Sequence, residues 1–388
     1  MVTDIRYNPM AKFIAMTAVL LMAIGTVFVF SAGANVRNEL DLSRFMEYPE
    51  LRQVLFFPLA CIIMYTASVF DYRKLSLANG WRNSPVIYLL VLSIVLLILV
   101  LIPGIGAEKN YARRWFIIPA GPIGKISFQP SELAKWATIF FLAAVCDKLG
   151  TEIRSFWKRF VPICGVIGLA VGLIIIEDFG TAALIALLAF LMLIIAGAKW
   201  WHILAPLPFG ALAFFAALIS SPARMRRITA FLSPDKWNDS AAYQANQSLI
   251  ALGSGGLWGK GLGRGICKYG HLPEDTTDFI FAIIGEELGF VGNAVVIGLF
   301  VLFVWLGVLV VLRCRDRLGQ LLAGGIVLAI SIQAAINIGV VTVVLPTKGI
   351  PLPFVSAGGT SMLLSSAAVG VLLNIAGQSA PRSVRSKG

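Results

Sequence analysis

Apolar runs of roughly 17 to 30 residues, each long enough to cross a ~30 Å hydrocarbon core as a helix, recur along most of this 388-residue chain. About ten can be read, over residues 11–32, 52–70, 86–106, 131–147, 160–177, 179–197, 201–220, 279–312, 319–345 and 358–378. They are rich in Leu, Ile, Val and Phe without alternation. That favours helices over barrel strands, because only a helix satisfies every backbone group within one apolar segment. Composition agrees: 58% hydrophobic, 13% charged, mean hydropathy +0.84, outside the range of soluble globular domains. The expected fold is an all-α polytopic integral membrane protein of one domain over 1–388. The eighth run is long enough to be tilted, kinked or partly outside the bilayer. Small residues at Ser31-Ala32-Gly33-Ala34 follow the first run as they follow a secretory signal. Its apolar core is too long for one and further runs come after it, so an uncleaved helix is expected.

Orientation is read from positive charge in short loops. With both termini cytoplasmic, the inner set holds Arg6, Lys12, Arg73, Lys74, Arg82, Lys148, Arg154, Lys158, Arg159, Lys199, Arg313, Arg315, Arg317, Arg382, Arg385 and Lys387. About half of the 32 Lys and Arg fall on the other side, mostly in two longer segments, Lys109 to Lys125 and Arg224 to Lys268, which the rule discounts. Those cations either meet an anionic ligand or solvate loops and lipid headgroups. The net charge of +12 is ordinary for this topology and does not call for nucleic acid. Five cysteines without a C-x-x-C spacing and two histidines give no disulfide framework, no zinc site and little material for a histidine-based centre.

Polar groups break the apolar background in four places, all on one face by the parity of the runs. In the first, Arg113-Arg114-Trp115 leads to Pro130-Ser131-Glu132 and Lys135. Ser131 is the expected N-cap there. Glu132 and Lys135, one turn apart, either neutralise each other or touch a ligand. The second is the tight connection Glu177-Asp178-Phe179-Gly180-Thr181, whose adjacent acids need water, a cation or a basic partner. The third is the long segment 221–278, expected as a large extracytoplasmic loop between the seventh and eighth helices. Its run Gly253-Ser254-Gly255-Gly256-Leu257-Trp258-Gly259-Lys260-Gly261 lacks the P-loop spacing. Its glycines either let backbone N–H groups approach a pyrophosphate, with Lys260, Arg264 and Lys268 adding charge, or form a re-entrant turn. The fourth is Leu345 to Ser361, where Pro346, Pro351 and Pro353 mix with Gly349, Gly358 and Gly359. Such a broken backbone at membrane depth must line protein or a wet cavity. A short basic tail, 379–388, closes the chain and is expected in the cytoplasm.

Taken in order, these segments resemble the SEDS family (shape, elongation, division and sporulation), the FtsW/RodA/SpoVE proteins. The resemblance spans almost the whole chain. It is carried by Tyr243-Gln244 with Gln247-Ser248-Leu249-Ile250-Ala251, by Gly253-Ser254-Gly255-Gly256-Leu257 with Gly259-Lys260-Gly261-Leu262-Gly263, by Leu272-Pro273-Glu274 and by Thr277-Asp278-Phe279-Ile280-Phe281. Glu286-Glu287-Leu288-Gly289-Phe290, Asn337-Ile338-Gly339 and Pro351-Leu352-Pro353-Phe354 continue it. Arg226-Arg227-Ile228-Thr229-Ala230-Phe231-Leu232 and Pro346-Thr347-Lys348-Gly349 look closer to the cell-division branch than to the elongation branch. The chain departs from the family pattern at Glu177 (Pro in the family's Gln-Pro-Asp), at Thr276 (commonly His) and at Ala357 (commonly aromatic).

The resemblance implies a ten-helix inner-membrane glycosyltransferase that uses lipid II, acts on undecaprenyl-pyrophosphate-linked glycan, and works with a class B penicillin-binding protein and other cell-division proteins. It implies Asp278 as the general base or the carboxylate that orients the acceptor; N-capping of the next helix is its structural alternative. Arg113, Arg114, Lys260, Lys268 and Lys348 are the candidates for pyrophosphate, with Trp115 for sugar or lipid and Gln247, Ser248 and Ser356 beside them. Glu132, Lys135 and Asp178 are expected to support the site or bind a divalent cation, Mg or Mn. Two other classes fit a polytopic chain: a lipid II transporter, and a non-catalytic scaffold for a division partner. Transporters usually place their sites near the midplane between repeats, whereas the polar groups here gather at one face.

Overall fold

The computed structural model describes residues 8–33, 48–78, 80–109, 112–119, 125–232, 240–269 and 272–379. The basic tail beyond Ser379 lies outside the described residues, as do Arg6, Lys387 and the other terminal cations of the inner set. Thirteen helices, α1 to α13, are described: Pro9–Gly33, Pro49–Val69, Pro85–Leu101, Pro130–Leu149, Val161–Glu177, Phe179–Ile195, Trp200–Leu204, Leu207–Ile219, Pro222–Leu232, Ser240–Ser254, Ile280–Arg313, Arg317–Val341 and Gly359–Gln378. Helices lie within each expected apolar run, although α3 ends at Leu101 and the run 201–220 is divided between α7 and α8. Among the described residues, seven stretches are long and apolar enough to cross a membrane, and α3 and α6 are apolar helices of 17 residues. The chain is a multi-pass membrane protein. Helix α4 carries Glu132, Lys135, Asp147 and Lys148 and is buried along most of its length inside the bundle. Helices α12 and α13 are the most buried of the seven, whereas α8 buries no residue.

Hydroxyls inside the apolar helices bond back to the preceding turn, as Thr17 Oγ1 does to Phe13 O at 2.8 Å and Thr26 Oγ1 to Met22 O at 2.8 Å, so no neighbour has to satisfy them. Proline at N1 or N2 opens α2, α3 and α4, where its missing N–H has no partner to lose.

The all-α expectation needs one correction. Residues 107–128 contain a three-stranded antiparallel sheet, β1 (Ala107–Lys109), β2 (Ala112–Pro119) and β3 (Lys125–Phe128), in the order β1-β2-β3. Phe116 pairs with Phe128 and Ile118 with Ile126; aromatic and β-branched residues facing across a ladder favour strands. Ser131 is not the N-cap of α4. Gln129 takes that position with Pro130 at N1, and the Ser131 hydroxyl is buried without a partner. The segment 221–278 includes helices α9 and α10. The long eighth run, α11, breaks at Gly289, whose φ of 69° lies in the left-handed region that glycine enters freely.

Candidate functional site

A cavity of about 540 Å³ lies at the end of the bundle where α2, α4, α6, α11 and α13 begin and α12 ends. Its wall carries the cations Arg52, Arg114, Arg227 and Lys348 and the carboxylates Glu132, Asp178, Glu274 and Asp278. Trp115, Gln129, Gln244 and Thr360 add polar and aromatic surface. Segments separated by hundreds of residues thus bring alternating charge to one water-accessible space.

Asp278 sits just before α11. That helix is N-capped by Phe279 with no side-chain hydrogen bond, so Asp278 does not serve as its cap. Its backbone is held from both sides. Asn337 Nδ2 donates to Asp278 O at 2.8 Å and to Ile350 O at 2.8 Å. Ser356 Oγ donates to Thr277 O, and Ala357 N donates to Thr276 O at 2.9 Å. The carboxyl itself faces the cavity beside Gly349, where a Cβ would come within 2.9 Å of Asp278 Oδ2. Burial pushes the Asp278 carboxyl up to about 7; Glu274 and Asp178 add to the rise, and Arg227 and Arg114 oppose it.

The acids of the α5–α6 turn find the partners their burial demands. Asp178 caps α6, accepting from Thr181 N at 3.2 Å and Thr181 Oγ1 at 2.7 Å, and Arg114 Nη1 stands 3.8 Å from its Oδ1. Glu177 accepts from Arg113 N at 3.0 Å. The Arg113 guanidinium turns to Glu108 at 3.4 Å and does not line the cavity. Glu132 reaches the cavity wall; Lys135 stays behind it, bonded to Glu132 Oε2 at 2.8 Å and Gln333 Oε1 at 2.7 Å. Gln333 in turn donates to Pro351 O at 2.9 Å, propping the broken loop between α12 and α13. Lys348 on that loop lies with Nζ 3.7 Å from the centroid of the Phe179 ring. Burial draws its ammonium down to about 8; Asp178 opposes the shift, and Arg227 and Arg224 add to it.

Lys260 and Lys268 do not reach the cavity. Lys260 Nζ pairs with Glu286 Oε1 at 2.7 Å, and Lys268 Nζ with Glu287 Oε1 at 3.0 Å. The glycine-rich turn aims its N–H groups at these same carboxylates. Ile266 N and Cys267 N donate to Glu286 at 2.9 and 3.1 Å, and Gly263 N to Glu287 at 3.0 Å. Ser31 at the end of α1 completes the shell with a 2.8 Å bond to Glu287. Close backbone packing explains the glycines: a Cβ at Gly255 would lie 1.9 Å from Gly285 O, and one at Gly259 2.1 Å from Glu287 O. The anions facing this turn are the paired helix carboxylates, an arrangement that matches the packed re-entrant turn offered as the alternative to a pyrophosphate site. Ser248 is buried and donates to Val341 O at 2.7 Å, and neither it nor Gln247 lines the cavity. Ser356 supports from behind, through Thr277 O and Leu352 N. Sequence reading missed Arg52 and Arg227. The signal for Arg52 is a cation in the first turn of an apolar helix, and for Arg227 its place on the short amphipathic α9. Among the described residues no three His, Cys, Asp or Glu side chains come together as a metal site.

The FtsW/RodA/SpoVE family, described as "Cell cycle protein", matches residues 11–380. The chain belongs to this family. Stage V sporulation protein E of Bacillus subtilis (strain 168) is 40% identical over 92% of this chain and 94% of its own. A probable peptidoglycan glycosyltransferase FtsW of Geobacter sp. (strain M18) is 38% identical over 93% and 95%. Among solved structures, a chain from a study of how a peptidoglycan synthase complex coordinates polymerization and crosslinking aligns with TM-score 0.72 and 25% identity over 94% of this chain and 97% of that one. The rod shape determining protein RodA of Thermus thermophilus aligns with TM-score 0.64 and 26% identity over 93% and 94%. Two of the positions where this chain departs from the FtsW/RodA/SpoVE pattern, Thr276 and Ala357, meet through the 2.9 Å bond between their backbones. The third, Glu177, holds Arg113 N instead of offering proline's rigid turn.

Proposed function

We propose that this chain polymerises lipid II into β-1,4 glycan strands in septal or lateral wall synthesis, as a peptidoglycan glycosyltransferase of the cytoplasmic membrane. Its reading is of ten crossings, both termini in the cytoplasm and the cavity on the outer face. The observation that carries the function is the convergence of one half-buried carboxyl, Asp278, with Arg114, Arg227 and Lys348 in a single cavity. The acceptor's GlcNAc 4-hydroxyl attacks the anomeric carbon of the donor's MurNAc. Asp278 takes the hydroxyl proton, the new C–O bond forms as the bond to pyrophosphate breaks, and undecaprenyl pyrophosphate leaves with the electron pair. A carboxyl raised to about 7 accepts a proton near neutral pH far better than an ordinary aspartate. The cations stabilise the charge gathering on the leaving group. Trp115 offers a stacking face for sugar or lipid, Asp178 orients Arg114, and Glu132 with Lys135 supports the loop of Lys348. Lys260, Lys268, Gln247 and Ser248 belong to the scaffold.

A class B penicillin-binding protein is the partner this reading implies, with other division proteins around it. The decisive experiment co-purifies the chain with such a partner defective in transpeptidation and supplies labelled lipid II. Polymer that vanishes with Asp278→Ala, in protein that still folds, supports the assignment. Polymer that survives Asp278→Ala removes Asp278 from the chemistry. A folded complex that binds lipid II and makes no polymer moves the function to transport or scaffolding.

A further inference from the structure

Phe179 is the first residue of α6, directly after the capping Asp178, and its ring does not line the cavity. Three elements meet on it. The Lys348 ammonium lies 3.7 Å from its centroid, the Arg224 guanidinium carbon 5.7 Å from it, and Phe214 of α8 touches it edge-on at 5.2 Å between centroids. Arg224 is itself fixed, donating to Ile175 O at 3.0 Å, Ile176 O at 2.7 Å and Ala217 O at 2.8 Å. The Lys348 stem also passes the next residue of α6, where a Cβ at Gly180 would lie 3.5 Å from Lys348 Cδ. The ring is the close contact that seats the ammonium, with Asp178 the nearby charge that attracts it.

We propose that Phe179 is a positioning residue for Lys348: its ring seats the ammonium at the cavity wall, so that the charge is held in place before an anionic pyrophosphate arrives. The proposal rests on the polymerase reading for its ligand, but the ring–ammonium pairing itself does not. A cation over an aromatic face is attracted by the ring quadrupole, most strongly where water is excluded. A lysine otherwise carries four rotatable bonds whose freedom a ligand would have to freeze. The charged groups facing Lys348 are Asp178 from the α5–α6 turn and Arg224 and Arg227 from α9. Two of the three repel it, so without the ring the ammonium would move away or lose its proton.

Two measurements test this on the full-length protein in detergent. In the first, the pH dependence of Lys348 acylation by acetic anhydride is followed by peptide mass spectrometry. The wild-type midpoint is expected near 8, lower in Phe179→Leu and restored in Phe179→Trp. An unchanged midpoint in Phe179→Leu overturns the proposal, whether or not the chain polymerises anything. In the second, lipid II polymerisation is compared in Phe179→Leu, Lys348→Met and the double variant. Phe179→Leu should lower kcat/KM about tenfold, mainly through KM, as a cation–π contact of moderate strength predicts. It should add little on the Lys348→Met background. Equal losses on both backgrounds would mark Phe179 as packing only. A shifted acylation midpoint in a protein without polymerase activity would keep the positioning role and end the polymerase reading.

Discussion

Asp278 and Lys348 titrate toward each other, and the interval between them sets when the site is fully charged. On the proposed mechanism Asp278 accepts a proton only when ionised, above about 7, and Lys348 holds an anion only when protonated, below about 8. Polymerisation should therefore follow a narrow bell with limbs near those values, and Lys348→Arg should extend the alkaline limb because a guanidinium keeps its proton. Rates measured from pH 5 to 10 decide it, and a flat profile would remove one of the two groups from the rate-limiting step. The raised Asp278 carboxyl also destabilises the fold. Its folded pKa exceeds the unfolded one, so stability is lost as pH rises from about 4 through about 7. Asp278→Asn should thus be more stable than wild type at pH 8, by on the order of 1–4 kcal/mol, with the gain shrinking toward pH 4. Thermal denaturation at the two pH values tests it. Gly349→Ala places a methyl 2.9 Å from Asp278 Oδ2; it should cut activity at least tenfold by displacing the carboxyl, while leaving the denaturation midpoint within a few degrees. At this scale the family resemblance singles out Asp278, Arg114 and Lys348 together with Arg113, Lys260 and Lys268, and only the first three line the cavity. Arg113 and Arg114 look alike in sequence; only the packing of β2 sends one to Glu108 and the other to Asp178.

The first nine residues of α11 and the glycine-rich turn behave as one element, because each supplies what the other lacks. Glu286 and Glu287 are fully buried and would be prohibitive without donors; the turn has free N–H groups and two lysines and would be formless without acceptors. Removing one side leaves a buried charge unpaired, which typically costs about 3–5 kcal/mol. Lys268→Met should accordingly destabilise the protein more than Lys268→Met combined with Glu287→Gln, a reversal of the usual additive order. Denaturation midpoints of the three proteins check it; a double variant less stable than the single would show that Glu287 needs no cation beside Ser31 and the Gly263 amide. The glycine pattern was legible as an anion cradle, but which anion it holds was not. The carboxylates lie about twenty-five residues downstream, on a run that reads as one long apolar helix until the break at Gly289 separates its first turns. Strands β1 to β3 escaped notice for a related reason: they are short, and their charged residues outweigh the β-branched stretch that forms the ladder.

Across the whole molecule, polarity is divided between two ends with different work. At the cavity end the charges line open space, whereas at the opposite end polar groups are spent on one another. There Tyr72 donates through its hydroxyl to Asp316, Asn374 Nδ2 donates to Ser68 O at 2.8 Å, and Asp316 caps α12 through Gly319 N at 2.8 Å. Between the ends the described core is packed with Leu, Ile, Ala and Phe around the central α12 and α13. The helical runs and the gathering of polar groups at the helix ends could be read from the sequence, because membrane solvation forces both. That the separated pieces share one cavity could not be read, since it depends on how the helices pack. A carrier that moves a polar headgroup across the bilayer needs a polar path reaching both faces, whereas the described core around α12 and α13 is mainly apolar, with polar side chains such as Lys135, Gln333 and Ser366 buried in its packing. Proteoliposomes holding the chain with its proposed partner should therefore polymerise labelled lipid II presented on the cavity side and fail to move it to the other leaflet. The amount reaching that leaflet should match that of protein-free vesicles. Protein-dependent transfer that persists in Asp278→Ala would mean that the bundle opens to a second state, with a polar path through α12 and α13, and the transport reading would replace the transferase one.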